Sequence, residues 1–265
     1  MPGGAGLRFD FLETGWGQPF DRKDIERALD RGAAWLWAVH CETSTGVLND
    51  LVMLKDVCAE RGVRLAMDCV SSVGTVPVDL SGVALASCAS GKGLGAYPGL
   101  SMVFYGDGGI SAPGRLPRYL DLGQYAAKDG VPFTLSTNLL YALDAAIRDL
   151  NPSAVFDCIS EAAGHLRAEL REMGFRIVAD DACATPAVTT LALPASDSSV
   201  DVGQRLEKQG FLLSYNSEYL VSRNWIQVCL MVPLAAQGVM PLLAALRGVL
   251  SLPQRRSVAE KVASR

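Results

Sequence analysis

Histidine is scarce in this chain, which holds only His40 and His165. The seven cysteines are Cys41, Cys58, Cys69, Cys88, Cys158, Cys183 and Cys229. They are odd in number, scattered, and form no Cys-x-x-Cys pair. Zinc is held by clustered thiolates and imidazoles, so no metal site is expected. Several of the cysteines lie in apolar runs and read as buried free thiols of a reducing cytoplasm. Long hydrophobic runs are also missing. None approaches the ~20 residues that cross a bilayer, so no membrane span is expected. Residues 1–6, Met-Pro-Gly-Gly-Ala-Gly, lack the charged-then-apolar layout of a signal peptide. A basic excess is absent too. The net charge of −4 gives no general pull toward nucleic acid or anionic membrane. What the chain has in quantity is apolar side chains, 49% of its 265 residues. That is enough for a real core and unlike the composition of a disordered protein.

Hydrophobic periodicity divides the chain into alternating strands and helices. Residues 7–12 alternate like a strand. Asp21 and Asp24 open a helix that runs through Ile25 and Leu29 to Gly32. Residues 33–40 are an apolar strand ending at His40, and 49–61 a helix stopped by Gly62. Residues 63–67 make a strand ending at Asp68, and 83–88 and 100–105 make two more. Nearly all-apolar strands in β–α–β order indicate a parallel sheet covered on both faces. In such sheets a site lies at the carboxyl ends of the strands. Residues 106–131 are rich in Gly and Pro and read as a surface excursion. After Asn151-Pro152 a second α/β unit begins. It has a long amphipathic helix, strands at 175–179, 187–193, 211–215 and 225–230, two further helices, and a polar tail from Pro253. The expected domains are 1–150 and 151–265.

Lys92 lies in the run Ser87-Cys88-Ala89-Ser90-Gly91-Lys92-Gly93-Leu94-Gly95-Ala96-Tyr97-Pro98-Gly99-Leu100. Asp68 ends the strand before it. Gly91-Lys92 is not a phosphate loop, because Ala86 and Gly93 stand where that motif needs Gly and Ser or Thr. The small residues of the run let a ligand approach closely. A carboxylate between apolar runs is costly unless paired. The hydroxyls of the His40-Cys41-Glu42-Thr43-Ser44-Thr45-Gly46 segment line a third strand end. An amine on a tight turn beside a buried carboxylate is the combination that pyridoxal phosphate (PLP) chemistry needs. The amine forms a Schiff base, and the carboxylate keeps the pyridine nitrogen protonated.

Taken in order, Glu42-Thr43-Ser44-Thr45-Gly46, Asp68-Cys69-Val70-Ser71-Ser72 and Ser90-Gly91-Lys92 through Pro98-Gly99 resemble the class V aminotransferases among the fold type I PLP enzymes. The nearest group is the alanine–glyoxylate, serine–pyruvate and 2-aminoethylphosphonate–pyruvate aminotransferases. Val131-Pro132-Phe133-Thr134 fits as well. The resemblance implies an α/β fold with a mainly parallel large domain, lacking its N-terminal part, and a small C-terminal domain. It implies an amino transfer between a small amino donor and a keto acid or aldehyde, through a Lys92 Schiff base. Lys92 would carry the proton, and Asp68 would pair with the pyridinium. Ser44 would bond near the ring hydroxyl or the Asp68 carboxylate. Thr43, Ser71, Ser90 and Gly91 would line the cofactor. Thr134 would reach the phosphate of a second subunit, and His40 would lie near the substrate.

Two departures qualify this expectation. The segment that carries the family's phosphate-binding loop and ring-stacking aromatic precedes anything in this sequence. Gln227 stands where a C-terminal strand usually offers an arginine to fork a substrate carboxylate, with Arg223 as a nearby substitute. The expected partners are therefore a small donor and acceptor, and either a second copy or a chain supplying the missing segment. One half of a split enzyme, a non-catalytic homologue and a PLP lyase remain as rival readings.

Overall fold

The computed structural model describes residues 8–106, 116–233 and 235–250. Part of the Gly/Pro-rich excursion and the whole polar tail from Pro253 lie outside the described residues.

The first helix, α1 (Arg22–Leu29), is capped by the Asp21 carboxylate, which accepts from the Lys23 and Asp24 amides. Its apolar residues Ile25 and Leu29 are buried. Strand β1 (Trp35–Val39) leads into a short hairpin of β2 (Cys41–Glu42) and β3 (Val47–Leu48). Helix α2 (Leu51–Glu60) starts on an Asp50 cap and buries Leu51, Leu54, Val57 and Cys58. Strands β4 (Arg64–Asp68), β5 (Leu85–Ala89) and β6 (Ser101–Tyr105) complete a sheet of order β1-β4-β5-β6. The β1–β4 and β4–β5 pairs are parallel, so Val39, Asp68 and Ser87 stand side by side at the carboxyl ends.

Three expectations for this sheet are corrected. The β5–β6 pair is antiparallel. The lysine turn between those strands contains no helix and is too short for a parallel crossover. Only one sheet face is covered among the described residues. Leu65, Met67 and Ala86 pack against Ile25, Leu54 and Val57, while Trp35 and Trp37 on the opposite face are 43% and 67% exposed. Residues 8–12 form no strand, since no sheet edge receives them.

Beyond β6 come a 3-10 turn at Arg118–Leu120, α3 (Leu122–Ala126) and α4 (Thr137–Asp149), which has no buried residue. The long helix α5 (Pro152–Glu172) follows from Asn151 as N-cap and Pro152 in the first turn. It buries Val155, Ile159, Ala162, Ala163, Leu166 and Leu170 at three- and four-residue spacing. Gly174, at φ 87°, ends it.

Strands β7 (Arg176–Ile177) and β8 (Val188–Ala192) are followed by α6 (Ser199–Glu207), α7 (Glu218–Arg223) and β9 (Trp225–Cys229). The three strands make an antiparallel sheet of order β7-β8-β9. The expected strand at 211–215 is reduced to a single bridge from Ser214 to Gln227. Helix α8 (Met240–Val249) closes this second core, where Leu166, Leu206, Leu243 and Leu246 are fully buried. Each such leucine contributes ~1.5–3 kcal/mol of burial. The described chain thus holds two hydrophobic cores, one on each sheet.

Candidate active site

The carboxyl ends of β4 and β5 bring Asp68 and Lys92 onto adjacent turns. The turn after β4 runs through Ser71 to Thr75, with Thr75 Oγ1 donating to the Ser71 carbonyl at 2.8 Å. The turn after β5 carries Lys92, and its base is stapled by Ser90. That fully buried hydroxyl donates to the Tyr97 carbonyl at 2.7 Å and accepts from the Leu100 amide at 3.2 Å. The two turns meet backbone to backbone at Gly74 and Gly93. A Cβ on Gly93 would sit 2.6 Å from the Val73 oxygen and 2.7 Å from the Gly74 carbonyl carbon. A Cβ on Gly74 would collide with Gly93. A Cβ on Gly91 would fall 2.7 Å from the Pro98 ring. Gly93 and Gly74 therefore let the two turns approach each other, while Gly91 lets the lysine turn fold back on its own Pro98.

Asp68 is half-buried. The Val70 amide donates to its Oδ1 at 2.9 Å, and the Ser87 hydroxyl reaches the same oxygen at 3.4 Å. These bonds orient the carboxylate and leave Oδ2 without a protein donor among the described residues. Lys92 is also half-buried, and no carboxylate pairs with its ammonium among the described residues. Its charge is felt at two thiols, Cys41 in β2 and Cys229 at the end of β9. Burial nonetheless raises the Cys41 thiol to about 11. Lys92 is therefore near both the β2–β3 hairpin and the end of β9.

The β2–β3 loop forms another wall. Ser44 bonds differently from expectation: its hydroxyl donates to Glu42 Oε1 at 2.6 Å, and its amide to the same oxygen at 2.9 Å. Glu42, two residues upstream, is closer along the chain than Asp68 and closes a tight side-chain turn. Thr43 presents its carbonyl to Gln227. His40 is buried and its amide donates to the Asp68 carbonyl at 2.9 Å. Its Nδ1 has no hydrogen-bond partner among the described residues. Burial lowers its pKa, with the Asp50 charge opposing, so the ring is neutral near pH 7.

The remaining candidates lie further out. Gln227 is buried in β9 with its amide engaged by protein groups. Arg223 ends α7 with its guanidinium 3.8 Å from the centre of the Trp16 ring and 5.3 Å from that of Trp225. Thr134 is on the surface just before α4. Sequence reasoning missed Ser87 as a donor to Asp68, Gly74 as the counterpart of Gly93, and Tyr219 as a support for Gln227. Only the β4–β5 register carries a signal for the first. The other two contacts join segments whose proximity no local pattern announces.

Residues 4–107, which include the β2–β3 loop, Asp68 and Lys92, match the aminotransferase class-V family. The soluble hydrogenase 42 kDa subunit of Anabaena cylindrica is 32% identical over 209 residues, covering 73% of this chain and 55% of that protein. The 2-aminoethylphosphonate–pyruvate transaminase of Pseudomonas fluorescens Pf-5 is 30% identical over 224 residues, covering 78% and 61%. The chain thus spans little more than half the length of these curated relatives. Among solved structures, the alanine–glyoxylate aminotransferase of Nostoc sp. superposes with a TM-score of 0.76 at 28% identity. That match covers 90% of this chain and 67% of the Nostoc chain. The class V segment therefore sits in a fold type I aminotransferase architecture.

Proposed function

We propose that this chain binds pyridoxal phosphate at Lys92 and serves an aminotransferase that moves an amino group from a small donor to a keto acid or aldehyde. The observation that carries the reading is the fused pair of turns, with a Lys92 ammonium on one and an oriented Asp68 carboxylate on the other, the ammonium and Oδ2 each without a protein partner among the described residues. This donor set fits the pyridine end of the cofactor. Asp68 Oδ2 is available to hold a proton on the ring nitrogen. Lys92 Nζ is available both for covalent attachment and for carrying a proton to and from the amino-bearing carbon of the donor. Bound there, the cofactor supplies the electron sink that makes that carbon acidic. Ser87 and the Val70 amide keep Asp68 aimed. The buried His40, whose amide donates to the Asp68 carbonyl, adds no positive charge near neutral pH.

The two cores support a division near residue 150 into a large-domain part and a small domain. The exposed position of Thr134 is compatible with reach toward the phosphate in a second subunit. No described helix is long and apolar enough to cross a membrane, and all seven cysteines are free; both agree with a place in the cytoplasm. A second reading, in which another polypeptide completes the large domain, is favoured by the apolar surface left open at Trp37, Phe104 and α4. Isolation of the chain from its native source as a stable complex with a second polypeptide is its measurement.

The main reading is tested by adding the cofactor, reducing with borohydride and mapping the modified peptide by mass spectrometry. Wild type should carry the cofactor on Lys92, and Lys92→Ala should not. Wild type left unmodified at saturating cofactor ends the reading for the chain acting by itself.

A further inference from the structure

Gln227 lies in the middle of β9, on a core strand of the small-domain sheet, and is 4% exposed. Its Nε2 is 2.6 Å from the Thr43 carbonyl oxygen, 3.0 Å from that of Ser44 and 2.9 Å from Thr190 Oγ1. Its Oε1 accepts from the Tyr219 hydroxyl at 3.1 Å. A carboxamide nitrogen has two hydrogens, so three acceptors already exceed what it can give. No N–H is left to donate to a substrate. Among the described residues no other donor reaches the Thr43 or Ser44 carbonyl.

These contacts join segments 183 and 184 residues apart. The loop that carries them leaves β1 beside Asp68. Its two halves are held in different ways. Gly46 and Leu48 are tied to the small-domain segment by main-chain bonds, Thr185 amide to Gly46 oxygen at 2.8 Å and Leu48 amide to Cys183 oxygen at 2.7 Å. Thr43 and Ser44 are tied to that domain by the Gln227 side chain. Tyr219, which orients the amide, is itself stacked on Trp16 at 6.2 Å between ring centres.

We propose that Gln227 is a positioning residue, a neutral latch that fastens the small-domain sheet to the Thr43–Ser44 half of the β2–β3 loop and so sets that half of the site wall relative to Asp68 and Lys92. The latch itself rests on hydrogen bonds. Its consequence for a bound cofactor rests on the reading of Lys92 and Asp68 given above. Charge matters to the design. A carboxylate at this position would keep the Tyr219 bond but offer no proton to the two carbonyls, so shape alone cannot replace the amide.

The test is amide hydrogen exchange on the full chain without cofactor, comparing wild type with Gln227→Met, Gln227→Glu and Tyr219→Phe. Methionine keeps the volume and removes every polar contact of the amide; glutamate removes only the donated ones. In both Gln227 variants the amides of Ser44, Thr45 and Gly46 should exchange about tenfold faster, the change expected from about one net hydrogen bond. The amides of Leu48 and Asn49, held by the Cys183 and His40 carbonyls, should keep their wild-type rates. Tyr219→Phe should accelerate the same three amides by a smaller factor. Unchanged rates at 44–46 overturn the latch, and so does equal acceleration at 48 and 49, which marks general loosening. If both Gln227 variants fail to fold, wild-type rates at 44–46 in Tyr219→Phe overturn it. Borohydride trapping at Lys92 is measured separately, so loss of the cofactor reading and loss of the latch give different results.

Discussion

Gly93→Ala should separate the two turns that bring Lys92 to Asp68. The added methyl group meets the Val73 oxygen at 2.6 Å, the Gly74 carbonyl carbon at 2.7 Å and Thr75 Cγ2 at 2.7 Å. Two of these are main-chain atoms, so rotation of a flexible side chain cannot relieve the contact. The turns must move apart by several tenths of an ångström or more. Overpacking of this kind costs ~1–3 kcal/mol. For a chain of this size each kcal/mol lowers the melting temperature by roughly 2–4 °C. Misplacement of reacting groups by ~1 Å costs up to ~10²-fold in rate. Gly95→Ala is the matched control. Gly95 sits in the same turn at φ 69°, but a Cβ there meets nothing within 4 Å. Alanine at that position costs only the left-handed backbone conformation, ~1–2 kcal/mol. Thermal unfolding should show both variants destabilised. Borohydride trapping should separate them, with the rate at Lys92 falling about tenfold or more in Gly93→Ala and staying near wild type in Gly95→Ala. If the two variants trap the cofactor equally fast, contact between the turns does not set the geometry of the site, and the reasoning fails.

Asn224→Ala should cost ~2–4 kcal/mol in urea unfolding, because Asn224 holds φ 58° and its side chain bonds the Asp197, Pro194 and Leu193 carbonyls and the Ser199 amide. Asn224→Gly should recover only the backbone part. Gly164→Ala should raise stability by ~1 kcal/mol, since Gly164 is an exposed interior position of α5 where a Cβ meets nothing. Lowered stability in the same urea assay would count against the α5 geometry. His40 makes the chain acid-sensitive. Its native pKa lies below the unfolded value of ~6.5, so the unfolded state binds the proton first. Stability should be fully present above ~6.5 and fall as the pH drops below it toward the native value. Urea midpoints measured from pH 8 to 5 should decline less in His40→Asn; an identical decline would remove His40 as the cause.

Much of the site was legible along the chain because its parts are strand ends followed by turns. Asp68 and Lys92 occupy such positions. The order of the parallel strands β1, β4 and β5 leaves their carboxyl ends together. The antiparallel course of β6 was less legible, since an apolar strand reads alike in either direction. What decided it was the short, helix-free lysine turn. The open sheet face escaped for a different reason. Apolar strands promise burial, but which element supplies the cover is a property of the whole assembly.

Local sequence by itself determined the helices, through caps such as Asp21, Asp50 and Asn151, and placed an amine and a carboxylate on turns suited to PLP chemistry. Caps and periodicity act over a few residues, so they can be read without a fold. Only the tertiary structure decided what the small residues and Gln227 do. Gly93 meets Gly74, Ser90 staples its own turn, and Gln227 reaches across 184 residues to Thr43. Such contacts depend on how two sheets and their turns come together, and no window of sequence contains both sides of them.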